Sequence, residues 1–113
     1  MATAPKTTGN RKPVFHRAII KSLNISVYGI GTTWPQSVDC KAVPEYKKLT
    51  TANFAVQMTR FYMGTSTSWS NLYIENIIYD PSTGILKFNV RYAEGNNDAL
   101  GNLFVDVVCY YTN

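Results

Sequence analysis

Between Leu23 and Val27 the chain alternates strictly: Leu23, Ile25 and Val27 are apolar, and Asn24 and Ser26 between them are polar. A period of two puts successive side chains on opposite sides and marks a half-buried β-strand. The pattern predicts a strand over residues 18–30, broken by Gly29 and Gly31. Residues 32–37, which include Trp34 and Pro35, carry turn signals and read as a loop. Over residues 38–48 the pattern fades. Pro44 suits the first turn of a short helix, and a loop fits equally well. Alternation resumes with Phe54, Val56 and Met58 and predicts a strand over residues 52–63. A Gly/Ser/Thr-rich loop follows over residues 64–70, with Trp69 near its end.

Residues 71–93 read as a hairpin. Two strand-like runs flank Asp80-Pro81-Ser82-Thr83-Gly84, in which Asp bonds its own backbone, Pro sets φ and Gly supplies a left-handed conformation. Placing Tyr79 opposite Ile85 fixes the register. Ile78 then faces Leu86, Ile74 faces Val90 and Leu72 faces Tyr92, an apolar side interrupted by Asn76 opposite Phe88. On the other side Glu75 faces Asn89, with Lys87 and Arg91 on its diagonals, where opposite charges stabilise a sheet.

The last strand spans residues 102–111. Leu103, Val105, Val107 and Cys109 form one face; Phe104, Asp106, Val108 and Tyr110 form the other, which is also largely apolar. A strand apolar on both sides is either central in a sandwich or covered by a partner. Four to seven short strands separated by turns predict an all-β fold: an antiparallel β-sandwich of jelly-roll or immunoglobulin-like kind.

Charge divides the chain unevenly. Among 113 residues the formal net charge is +4, yet residues 1–21 carry Lys6, Arg11, Lys12, Arg17 and Lys21 with no acid, so the remainder is close to neutral. Residues 1–13 hold two prolines and almost nothing to bury, so their own contacts cannot offset the entropy of ordering them. Residues 1–17 are therefore expected to be an extended basic arm that orders on a partner, ahead of a single domain over residues 18–113. Lys6, Arg11, Lys12, His16, Arg17 and Lys21 are its candidate contact residues, and Phe104, Val108 and Tyr110 are the candidate sheet interface. Polarity in the body comes from uncharged groups, since threonine, serine and asparagine supply 29 of the 113 residues. No apolar run is long enough to span a membrane and no apolar stretch follows the first residues, so neither a membrane segment nor a secretion signal is expected.

Catalytic patterns are sparse. His16 is the only histidine, so a histidine-based triad or multi-histidine metal site has no partners. Cys40 and Cys109 match no metal motif and read as small buried hydrophobes. Gly29-Ile30-Gly31 lacks the third glycine of a nucleotide fingerprint. The expectation is a protein that is not an enzyme and uses no cofactor or metal. Trp34 and Trp69 are candidate ligand residues on loops, the pattern of a carbohydrate-binding, lectin-like module that would attach to a host-surface glycan. Five early cations with eight tyrosines also allow a single-stranded nucleic-acid binder, which ranks below protein partners.

The run Ile77-Ile78-Tyr79-Asp80-Pro81-Ser82-Thr83-Gly84-Ile85-Leu86-Lys87-Phe88, with the closing strand Val105-Asp106-Val107-Val108-Cys109-Tyr110-Tyr111, resembles small β-sandwich proteins of tailed-bacteriophage virions: head-decoration, head-fibre and tail components. The resemblance covers residues 71–113 and transfers no functional residue. It implies a non-enzymatic structural protein of a virus particle, made in the host cytoplasm, that binds other virion proteins and copies of itself through its arm and sheet faces.

Overall fold

A computed structural model describes residues 12–28, 32–63, 70–95 and 100–112. Among them lie six strands: β1 (Phe15–Tyr28), β2 (Thr33–Asp39), β3 (Phe54–Met63), β4 (Ser70–Asp80), β5 (Ile85–Gly95) and β6 (Leu100–Thr112). They form two three-stranded antiparallel sheets, ordered β1-β6-β3 and β2-β5-β4. Except for the β4–β5 hairpin, consecutive strands belong to different sheets. The inner faces of both sheets contribute to one core, from Ile25 and Val27 of β1 to Leu86, Phe88, Val90 and Tyr92 of β5 and Leu103, Val105, Val107 and Cys109 of β6. The fold is all-β, as the alternation predicts. No α-helix occurs among the described residues.

β5 and β6 are the middle strands, and their composition shows why. Both offer an unbroken alternate row of large apolar residues, and β6 also buries Val108 on its other face, between Ile19 of β1 and Ala55 of β3. Three of the four strands that hydrogen-bond on one side only carry irregularities of their own. β1 carries an extra residue between Ile19 and Lys21, β3 between Met58 and Arg60, and β4 between Glu75 and Ile78, while the shift at Asn71 and Leu72 comes from Ala93 in β5.

Four expectations change. First, Phe15, His16 and Arg17 are not part of an arm; they pair with Thr112, Tyr111 and Tyr110 and begin β1. β6 runs on to Thr112 and supplies the backbone partners that the sequence pattern did not reveal. Second, residues 33–37 are not a loop. They are β2, with Trp34 opposite Val90 and Pro35 opposite Asn89. Proline is tolerated because β2 is an edge strand. Third, residues 51–53 form a 3-10 turn before β3, and a second such turn spans Tyr46–Lys48. Fourth, the hairpin keeps the expected register at Leu72↔Tyr92, Ile74↔Val90 and Glu75↔Asn89 but loses it near the turn, where Tyr79 faces Leu86 and Asp80 faces Ile85.

A β-bulge accounts for that fourth change. Asn76, at φ 58°, and Ile77 together lie opposite Phe88. Asparagine is among the few non-glycine residues that enter the left-handed region readily. The extra residue reverses the phase of the strand, so Tyr79 enters the core and Ile78 turns to solvent. Tyr79 is the better core residue here because its polar end is satisfied. Its hydroxyl donates to the Tyr46 carbonyl at 2.6 Å, its backbone N–H donates to Thr51 Oγ1 at 3.0 Å, and its ring lies 4.4 Å from that of Phe54. The connection between β2 and β3 thereby closes one end of the core.

Candidate functional site

The outer face of the β1-β6-β3 sheet carries Arg17, Phe104, Val108 and Tyr110 of the sequence-derived site residues. β1 passes along one side of β6 and β3 along the other, so residues far apart in sequence stand in rows across three strands. Arg17 Nη2 donates to Gln57 Oε1 at 2.8 Å and Arg17 Nε to Tyr110 Oη at 3.4 Å, while Gln57 Nε2 donates to the same phenol oxygen at 3.3 Å. Ser22 Oγ donates to Asp106 Oδ1 at 2.7 Å, and Asn102 Nδ2 to Asn24 Oδ1 at 2.9 Å. The Arg60 guanidinium lies 5.9 Å from the ring centre of Tyr62 and 5.4 Å from that of Phe104, within cation–π range. Thr59 Oγ1 donates to the Phe104 carbonyl at 3.2 Å, beside a shallow hollow of about 270 Å³ that Ser22, Asn24, Phe104 and Asp106 also line.

Large apolar groups stand open beside this polar ladder. Phe15 is 79% exposed, Ile19 52%, Tyr62 53% and Tyr110 42%. Val108, expected at the sheet interface, is fully buried within the chain, and Phe104 is half-buried next to Arg60. Of the three interface residues, Tyr110 presents the most surface. Sequence reasoning missed Phe15, Ile19, Gln57, Arg60 and Tyr62. The run Arg60-Phe61-Tyr62 carried a cation–aromatic signal, but placing it beside Phe104 requires the β3–β6 pairing.

The expected arm residues do not act as one patch. Lys6 and Arg11 lie outside the described residues. Lys12 is exposed ahead of β1, and Lys21 is exposed next to the β1 register shift. His16 and Arg17 are strand neighbours and point to opposite sides. The His16 ring stacks on that of Tyr111 at 4.9 Å, toward the core, while Arg17 joins the outer ladder. The candidate ligand residue Trp34 sits on β2, half-buried against the core rather than displayed on a loop. Trp69 lies outside the described residues.

Charge separates between the sheets. The strands of the β1-β6-β3 sheet hold Arg17, Lys21 and Arg60 against Asp106 alone. Those of the β2-β5-β4 sheet hold Lys87 and Arg91 against Asp39, Glu75, Asp80 and Glu94. On the acidic sheet Arg91 grips Glu75 (Nη2 to Oε1, 3.1 Å) and lies 4.8 Å from the Tyr73 ring; the bond to Glu75 raises the Arg91 pKa further. That pair is the Glu75–Arg91 diagonal expected from the hairpin; Lys87 instead faces Ile78. A groove of about 410 Å³ crosses this sheet, lined by Gln36, Ser37, Asn76, Ile78, Lys87 and Asn89 among others.

Neither cysteine is poised for chemistry. Both are free, fully buried thiols. Burial, then the proximity of Cys40, pushes Cys109 up to about 11, and burial likewise raises Cys40. A thiol so placed stays protonated near neutral pH and is a poor nucleophile. Among the described residues, no three His, Cys, Asp or Glu side chains stand close enough to hold a metal ion, and no helix is long and apolar enough to cross a membrane. No protein-family model, curated protein or solved structure matches the chain.

Proposed function

We propose that this protein is a non-enzymatic structural component of a virus particle, of the bacteriophage decoration, fibre or tail kind. Its fold is a sandwich related to the jelly-roll or immunoglobulin-like class. It binds neighbouring subunits through the basic residues at its start and the outer face of the β1-β6-β3 sheet. The observation that carries this reading is the open apolar cluster Phe15, Ile19 and Tyr110 at one end of that face, beside the hydrogen-bonded Arg17 and Gln57. Exposed aromatic and aliphatic groups rimmed by polar ones suit a protein interface. Lys12, exposed ahead of β1, and the basic residues that precede it in the sequence suit an acidic partner surface.

The test starts with mass spectrometry of purified particles from the source. The protein present in stoichiometric copy number supports the reading, and its absence refutes it. Incorporation is then compared for the full chain and for a chain lacking residues 1–11. The truncation stops short of β1, so the sandwich stays folded while incorporation falls. Normal incorporation of the truncated chain removes the role of the basic segment.

One observation favours a second reading, single-stranded nucleic-acid binding. Arg60 lies between Tyr62 and Phe104, and Arg17 lies beside Tyr110, on the sheet with the positive balance. Cations alternating with aromatic rings on a sheet are how bases and phosphates are held together. Fluorescence anisotropy with a labelled oligonucleotide decides: tight binding that weakens steeply with salt supports it, and no binding at low salt removes it.

A further inference from the structure

We propose that the free edge of β1 from Ser22 to Ser26 is a self-association site, at which a second copy of this chain adds antiparallel about a two-fold axis through Asn24. The two β1-β6-β3 sheets then join into one six-stranded sheet. Such pairing is independent of any role in a virus particle.

The two sheets have four edges between them. An unpaired strand presents a row of backbone N–H and C=O groups, and proteins block such rows with proline, charge or bulges. β2 carries Pro35 as the third of its seven residues. β3 is interrupted between Met58 and Arg60, where a cation follows the irregularity. β4 is interrupted at the Asn76 bulge and carries Glu75 just before it, which leaves Ser70 to Ile74 as its longest regular uncharged stretch. β1 is interrupted between Ile19 and Lys21, but from Lys21 to Tyr28 it pairs with β6 without a shift. Within that stretch, Ser22 to Tyr28 contains no charge, no proline and no bulge. β6 covers one side of it, and no described strand pairs with the other. It is the longest stretch of regular, uncharged open edge among the described strands.

Self-pairing suits the residues. An axis at Asn24 sets Asn24 against Asn24, Ser22 against Ser26 and Leu23 against Ile25. Polar residues meet polar ones on the outer face, and apolar residues meet on the inner face. Asn24 and Ser22 already lie flat on the outer face, bonded to Asn102 and Asp106, so neither blocks an approaching strand. Leu23, half-buried at the rim of the core, gains cover from its partner. Lys21 falls opposite Val27, and at a rise of ~3.3 Å per residue the two Lys21 groups lie about 20 Å apart, beyond the ~10 Å screening length at ordinary ionic strength. Because the other edges are blocked, the association closes at a dimer instead of propagating.

Sedimentation equilibrium on the full chain reads the state directly. The wild type is expected to be dimeric. Asn24→Lys sets like charges opposite each other at the axis, so its dissociation constant should rise about tenfold or more with unchanged far-UV circular dichroism. As a second variant, Asn24→Cys should cross-link to a covalent dimer in oxidised glutathione, because directly opposed antiparallel Cα atoms lie ~4.5–5.5 Å apart, within disulfide reach. The native thiols are buried and do not compete. Ser22→Cys should not cross-link, since its symmetry mate lies about 13 Å along the strand. A wild type that is monomeric at every concentration, an Asn24→Lys variant that dimerises like wild type, or Ser22→Cys cross-linking as readily as Asn24→Cys each overturns the proposal.

Discussion

Gly84 offers the sharpest test of the packing around the hairpin turn. It sits at φ +71°, where a Cβ crowds its own backbone, and a left-handed non-glycine residue costs about 1–2 kcal/mol. The backbone cannot relax away from this angle. Gly84 N–H donates to the Asp80 carbonyl at 2.8 Å, and its own carbonyl accepts from Cys40 N–H at 2.8 Å, tying the turn to the end of β2. A methyl group at this position would also meet Lys41 Cγ at 2.6 Å and the Tyr46 ring at 3.0 and 3.1 Å. Lys41 is a flexible, exposed side chain, and its ion pair with Asp39 is a solvent-screened surface contact that yields readily. Tyr46 is less free, because its carbonyl accepts the Tyr79 hydroxyl. Crowding of this kind adds roughly 1–2 kcal/mol, the low end for overpacking. Gly84→Ala should therefore destabilise by about 2–4 kcal/mol, the sum of the backbone and crowding costs. Urea unfolding followed by circular dichroism measures it, with the m-value expected to stay constant. Gly84→Asn separates the two parts, since asparagine tolerates the backbone angle but brings the same Cβ. It should recover part of the loss. A loss below about 0.5 kcal/mol for Gly84→Ala, within the range of an ordinary surface change, would refute the account of the turn.

Other outcomes follow from the same contacts. Tyr79→Phe removes the donor to the Tyr46 carbonyl and should cost about 1–3 kcal/mol in the same unfolding assay. Hydrogen bonds from Lys41 N–H to Asp39, and from the Ser82 hydroxyl and N–H to Asp80, hold both carboxyls below their ordinary value of 3.8. A depressed folded-state pKa stabilises above the unfolded value and is lost as pH falls through it. Stability should therefore drop below pH 3.8, and less steeply in an Asp80→Asn variant. Cys109 titrates in the opposite sense. Held protonated up to about 11 against an ordinary 9.0, it favours the folded state at neutral pH and loses that contribution as pH rises across this interval. A thiol reagent at pH 7 should accordingly label neither cysteine until the protein is unfolded, and rapid labelling of the native protein would contradict their burial.

The sequence made local structure legible where neighbouring residues alone decide it. Asp80-Pro81-Ser82-Thr83-Gly84 specifies its turn through bonds within five residues, and these are present: Asp80 Oδ1 accepts from Ser82, and Gly84 takes the left-handed angle. The Glu75–Arg91 pair followed from the hairpin register at its far end. Legibility stopped where a distant strand chose between local options. Pro35 reads as a loop residue until β5 supplies a single-sided partner. Ile78 looks like core and Tyr79 like its neighbour until Tyr46, Thr51 and Phe54, from another part of the chain, satisfy the tyrosine and the Asn76 bulge reverses the phase. His16 and Arg17 look like one basic patch until β6 extends far enough to pair with them, and the strand then sends them to opposite sides.

Alternating polarity and turn chemistry by themselves determined that this chain forms antiparallel strands, where its central hairpin folds, and that its cations gather near its beginning. The tertiary structure alone decided that β5 and β6 take the middle positions, that Val108 is buried while Phe15 and Ile19 stand open, that positive and negative charge divide between the sheets, and that the β1 edge stays open, regular and uncharged from Ser22 to Tyr28. The division has a physical cause. Polarity and turn propensity act between residues a few positions apart, whereas strand order, phase and burial come from pairings such as Arg17 with Tyr110, which only the closed sandwich brings together.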